Sequence, residues 1–162
     1  MAVDANIGAQ SYFKIVETLR DALLTDPNIT TVTTGDISEV DLDKQTIFPL
    51  AHIVVGDANF DDSIVTFSIS VLLMDIVHSD NVTNQPSIYD NDNELYVLNN
   101  MFNVGNHLTD KLFKGDLYDG NTYVDKTATN AEPFSDRFEN VLAGWSFNFS
   151  LVVRNNIDRC NY

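Results

Sequence analysis

The stretch Trp145-Ser-Phe-Asn-Phe-Ser-Leu-Val-Val153 places Trp145, Phe147, Phe149, Leu151 and Val153 at every second position. Ser146, Asn148, Ser150 and the less polar Val152 fall between them. Successive side chains on a strand point to opposite faces, so this spacing predicts a strand with one apolar and one mostly polar face. An apolar face of that size has to be covered by a second layer. A layered fold built on a sheet is the starting expectation.

Two helical stretches can supply the cover. From Ala9 to Leu24, the residues Tyr12, Ile15, Val16, Leu19 and Leu23 recur at the three-and-four spacing of one helix face, and Pro27 and Asn28 end the run. From Asp92 to Lys114, Leu95, Leu98, Phe102, Leu108 and Leu112 form a second stripe. Asn91 and Glu94 have capping-box spacing, and Gly115 is placed as the C-terminal stop. Gly105 interrupts this helix at a cost of about 1 kcal/mol against Ala if exposed, and close approach to the sheet is the expected gain.

The remaining segments read as strands and polar connections. Ile29–Gly35 is rich in Thr and β-branched residues. Asp36–Lys44 is polar and acidic and is expected to be a loop. Phe48–Phe60 carries His52, Val54 and Gly56 on one side and Ala51, Ile53 and Val55 on the other. Asp61-Asp62-Ser63 then turns the chain into Ile64–Val77, a predicted hairpin. Between Val71 and Met74 both faces become apolar, so that end of the hairpin is expected to be covered twice. Ser79–Asn93 is a long polar connection, and the chain is extended again from Thr122 to Phe134. The order α-β-β-β-α-β-β is α+β, a mainly antiparallel sheet with two helices on one face. One domain spans residues 1–162, with a short N-terminal arm (1–8) and a C-terminal tail (155–162).

Composition narrows the function classes. With 24 acidic against 9 basic side chains the formal charge is −15. DNA binding by counterion release needs clustered Lys and Arg, as does attraction to anionic lipid, and the nine basic residues are scattered from Lys14 to Arg159. An apolar content of 44%, including ten Phe and six Tyr, separates the chain from disordered acidic tails. A chain of this length can bury roughly 70% of its unfolded surface. The opening Met-Ala-Val-Asp-Ala-Asn lacks the pattern of a secretory signal, and the apolar runs are too short for a membrane helix.

Chemistry-bearing motifs are sparse. His52, His78 and His107 share no metal-ligand spacing, and Cys160 is the single cysteine. They read as ordinary partly buried or surface histidines. Asp57-Ala-Asn59-Phe-Asp61-Asp62 resembles the opening of a calcium loop, but Asp62 stands where the sharp turn needs Gly and Ser68 where a bidentate Glu is needed. Asp90, Asp92 and Glu94 are accounted for by a helix N-terminus. There is no phosphate-cradling glycine loop and no Gly-x-Ser-x-Gly elbow. An enzyme is not expected, nor is a cofactor.

The stretch Glu132 to Trp145 interleaves charges of both signs with aromatic residues. Asp136, Arg137 and Glu139 beside Phe134 and Phe138 fit a loop satisfied within one subunit, and equally a contact between subunits, where Arg and aromatic residues are favoured. The block Ile47-Phe-Pro-Leu-Ala-His-Ile53, the Met74-Asp75 strand ending and Glu132–Trp145 resemble a group of small virion proteins of tailed bacteriophages. The layout across residues 9–154 is similar to the tail-terminator (tail-completion) family of long-tailed phages. This resemblance implies a hexameric ring that caps the tail tube and joins it to the head–tail connector. It implies no catalytic residues, and a place in the virion neck or tail after assembly in the bacterial cytoplasm. Other neck and tail-tube rings share a similar fold and stand as alternatives. From a different class, so does a monomeric acidic binding module.

Under the ring reading, DNA passes through without being held, because acidic side chains facing a lumen repel phosphate. Asp57, Asp61, Asp62, Glu39 and Asp41 are the candidate lumen acids. The same charges solvated on the outside of the ring are the competing explanation. A cyclic head-to-tail ring joins two different patches of each subunit. The candidates are the Ser79–Asn93 loop, the Glu132–Asn140 loop (Glu132, Phe134, Asp136, Arg137, Phe138, Glu139) and the tail beginning at Arg154.

Overall fold

The fold is that of a computed structural model, which describes residues 7–77, 94–114, 122–124, 129–137 and 142–154. Helix α1 (Ile7–Leu24) and helix α2 (Glu94–Lys114) lie on one face of a mostly antiparallel sheet. The strands are β1 (Thr31–Thr34), β2 (Leu50–Phe60), β3 (Ile64–Ile76), β4 (Thr122–Val124), β5 (Asn130–Arg137) and β6 (Leu142–Arg154). The architecture is α+β.

The one difference in order follows α2, where the expected single strand is two. The thirteen-residue β6 is long enough to pair with both. β4 takes Leu151–Val153 and β5 takes Leu142–Asn148 on the same edge. Across the sheet the order is β1-β2-β3-β6, with β4 and β5 sharing the last position. β1 runs parallel to β2 and the other pairs are antiparallel.

Alternation sorts the sheet into two faces. Ala51, Ile53, Ile69, Val71, Leu73, Phe147, Phe149, Leu151 and Val153 face the helices, where they meet Ile15, Leu19 and Leu23 of α1 and Val97, Met101, Val104 and Leu108 of α2. The helix faces differ in part from the sequence reading. Tyr12 of α1 is exposed, as are Leu95 and Phe102 of α2. Both candidate stripes of α2 have helical spacing. The buried one contains Gly105, where a Cβ would overlap the edge of the Phe147 ring. A smooth point on the helix selects which face can come closest to a sheet of aromatic side chains.

The opposite face is divided along the strand direction. Midway along β3 and β6 Ser70 donates to Asn148 Oδ1 (2.6 Å) and Asn148 Nδ2 donates to Asn130 Oδ1 (2.9 Å), a polar row across β3, β6 and β5. At one end of that face a second core forms from Phe48, Leu50, Met74, Phe134 and Leu142. Its cover is the segment read as a polar loop. Ile37, Val40, Leu42 and Ile47 pack onto that core, while Glu39, Asp41 and Asp43 point to water. Asp36 caps a short 3-10 turn (Ile37–Glu39) by accepting from the Ser38 N–H at 2.9 Å. The acidic count hid an apolar residue at every second or third position. The expected double cover between Val71 and Met74 is therefore present.

Candidate interaction surface

The sequence-derived residues fall into two groups. Asp57 lies near the end of β2, and Asp61 and Asp62 form the β2–β3 turn, closed by a bond from the Asp61 N–H to the Ile64 carbonyl (2.9 Å). All three are exposed. A register shift between Val55 and Ala58 bulges the strand just before this tip. Glu39 and Asp41 are also exposed, but on the segment covering the second core, at the Leu50 end of β2. A strand of eleven residues is about 35 Å long. The five acids thus form two separate clusters.

Glu132–Asn140 was expected to be a loop joining two strands. Glu132, Phe134, Asp136 and Arg137 instead belong to β5, which pairs in register with β6 from Asn130↔Asn148 to Arg137↔Leu142. A register shift between Ser135 and Arg137 places Asp136 at a bulge. Phe134 is buried in the second core, so it serves the subunit's own interior, and it is withdrawn as a contact residue. Glu132 is exposed. Arg154 ends β6 opposite Ile64. Phe138, Glu139, the Ser79–Asn93 connection, Asn91, Gly115, the tail and Cys160 lie outside the described residues.

Described residues of Ile47–Ile53, of Met74-Asp75 and of the strands flanking residues 138–141 meet in space. In the sheet register Leu50 sits beside Met74, Met74 beside Gly144 and Gly144 beside Phe134. Leu50, Met74 and Phe134, with Phe48 and Leu142, make up the second core. Gly144 allows this close crossing, since a Cβ there would overlap the Leu73 carbonyl oxygen. Segments that are distant in sequence form one packed unit.

Sequence reasoning missed two features. The first is a set of large apolar side chains in water: Phe60 is 77% exposed, Phe13 and Tyr96 each 67%, and Leu95 55%. Tyr12 is also exposed, its ring edge-on to Phe67. Helical periodicity had assigned Tyr12, Leu95 and Phe102 to the interior, so only the placement of the sheet reveals them. The second feature is His52, which is fully buried rather than partly so. Its Nδ1 accepts from the Thr33 hydroxyl at 2.7 Å and its Nε2–H donates to the Gly35 carbonyl at 3.0 Å, a pairing that requires the neutral Nε2–H tautomer. Burial lowers its pKa from the ordinary 6.5, against the opposing pull of the Gly35 carbonyl and the Asp36 charge. The Leu-Ala-His-Ile setting was the available signal.

Among the described residues no group of three or more His, Cys, Asp or Glu is placed to hold a metal ion. His107 contacts Asp26 at 3.3 Å and Lys111 donates to Thr25 at 3.2 Å, so both fasten α2 to the end of α1. No described helix is long and apolar enough to cross a membrane. Compared with known proteins, the chain matches no family model and no curated protein.

Proposed function

We propose that the chain is a structural subunit of a tailed-bacteriophage virion. It forms a ring, hexameric by the family's pattern, that terminates the tail tube and joins it to the head–tail connector while DNA passes through. The observation that carries this reading is the convergence of Phe48, Leu50, Met74, Phe134 and Leu142, drawn from the three stretches that carry the resemblance, on one packed unit. The residues that carry the resemblance thus pack against one another within this chain.

Surface character supports an assembling subunit. Identical subunits of charge −15 repel one another, so contacts between them must be made by uncharged or specifically paired surface. Phe13, Phe60, Leu95 and Tyr96 supply exposed apolar area of the kind enriched at interfaces. The two exposed acidic clusters suit a surface that DNA slides past. In this reading the neck or tail is the protein's station, reached by assembly in the host cytoplasm with neighbouring neck and tail proteins as partners.

Deletion of the gene from its phage tests the proposal. Filled heads and separate tails that fail to join are the expected product. Normal, infectious particles would contradict it.

A further inference from the structure

We propose that His52 is an acid-sensitive latch that holds strand β1 and the covering segment 35–47 against the second core. The latch is independent of the ring reading. β1 is a four-residue edge strand whose described strand partner is β2, paired from Leu50 to Ile53. His52 reaches from the centre of that pairing to Thr33 on β1 and to Gly35, the residue with positive φ (102°) where the chain leaves the sheet. Immediately beyond lie Ile37, Val40, Leu42 and Ile47, which cover Phe48, Leu50, Met74, Phe134 and Leu142. One imidazole thus fastens both the edge strand and the start of the cover.

Both ring nitrogens are committed in the neutral form. Protonation fills the Nδ1 lone pair that receives the Thr33 hydroxyl, so that hydroxyl has to turn and accept instead, and it places a cation where no solvent reaches. The nearest opposing charge is Asp36, whose carboxylate favours the cation. Glu39, Asp41, Asp43 and Lys44 on the covering segment are exposed, and the paired stretches of β1 and β3 beside His52 bring no titratable side chain to its face. Glu132 shares that face from β5, three strand spacings or about 14 Å away. The environment as a whole favours neutral imidazole in the closed state.

The sign follows. The open state exposes a histidine that titrates near 6.5, whereas the closed state titrates lower. Above the open-state value the latch is at full strength. As pH falls from there to the closed-state value, the opening equilibrium rises by up to about tenfold per pH unit, then levels off.

Hydrogen exchange of the full chain between pH 8 and pH 5, corrected for intrinsic rates, reads this directly. The expected result is a selective loss of protection in residues 31–47 while β3 and β6 stay protected, together with a native-state His52 NMR titration midpoint below 6.5. His52→Gln keeps a donor for Gly35 but cannot titrate, and it should abolish the selective acid response. Should that variant not fold, Asp36→Asn provides the second test. It keeps a side-chain acceptor for Ser38 while removing the charge, and should lower the His52 midpoint further. A midpoint at or above 6.5, an acid response that persists in His52→Gln, an unchanged midpoint in Asp36→Asn, or protection of 31–47 that never departs from that of β3 and β6 overturns the proposal.

Discussion

Gly105 of α2 sits directly over the ring of Phe147 on β6, so close that a methyl group on Gly105 would occupy the space of the ring edge. The contact continues through Phe102, whose ring centroid is 5.1 Å from that of Trp145, and through a bond from Trp145 Nε1 to the Leu98 carbonyl (2.9 Å). Helix, glycine and aromatic row together set the separation of the two layers.

Gly105→Ala tests this docking. Helix propensity alone favours Ala by about 1 kcal/mol. Overpacking a buried contact typically costs about 1–3 kcal/mol, and here the obstructing atoms belong to a ring held between neighbours. A net loss of stability in urea unfolding is expected, with partial recovery in the Gly105→Ala, Phe147→Leu double variant. A gain in stability would show that the helix rides higher on the sheet than described.

Thr33→Val removes the donor to His52 Nδ1 and leaves a buried acceptor unpaired, a loss of about 1–3 kcal/mol. The pH dependence has two contributors with depressed folded-state pKa values. The stability contributed by neutral His52 is present above about 6.5 and declines as pH falls through the lowered folded-state value. Asp36, held down by its bonds to Ser38, contributes above its unfolded value of 3.8 and loses that contribution as pH falls below it. Urea midpoints measured from pH 8 to pH 3 should therefore fall in two steps, and His52→Gln should lack the upper one.

Phe13→Ser, Phe60→Ser and Tyr96→Ser alter side chains that are mostly in water. Each should change the stability of the isolated subunit by no more than about 0.5 kcal/mol. Under the proposed function their combination should weaken self-association, read by sedimentation across a concentration series. Leu142→Ala is the contrast, since Leu142 is fully buried in the second core and its truncation should cost about 2–5 kcal/mol.

Charge reversal separates the two acidic clusters. The variant Asp57→Lys, Asp61→Lys, Asp62→Lys changes the β2–β3 tip, and Glu39→Lys, Asp41→Lys changes the opposite end of the sheet. Under the proposed function, reversing a cluster that faces the DNA path should slow ejection. The other should leave ejection unchanged, and normal ejection by both variants would remove the electrostatic role altogether.

The α+β class was legible because period-two alternation in β3 and β6 and the run Ile15, Leu19, Leu23 are dictated by nearest-neighbour geometry. Gly105 was legible as a close approach, since a glycine inside a long helix needs a compensating contact. Which stripe of α2 it would bury was legible only in part: Leu108 was placed correctly, but Leu95 and Phe102 are as apolar and as regularly spaced as the buried Val97, Met101 and Val104. The cover over Leu50 and Met74 was hidden for a related reason. Ile37, Val40 and Leu42 follow no strand or helix period, and the intervening acids dominate the composition. Among the candidate contact residues Phe134 misled, because an aromatic residue among charges fits a strand with one buried side chain as well as an interface. No local pattern separates those two arrangements. The burial of His52 depended on β1 and residues 35–47 folding over it from elsewhere in the chain.

The most direct test of the proposed function is a cryo-electron microscopy reconstruction of the neck and tail of a virion proposed to contain this chain. The account predicts a closed ring of copies of this α+β subunit at the head-proximal end of the tail tube, surrounding the DNA path. Particles whose neck and tail contain no copy of the subunit would contradict it.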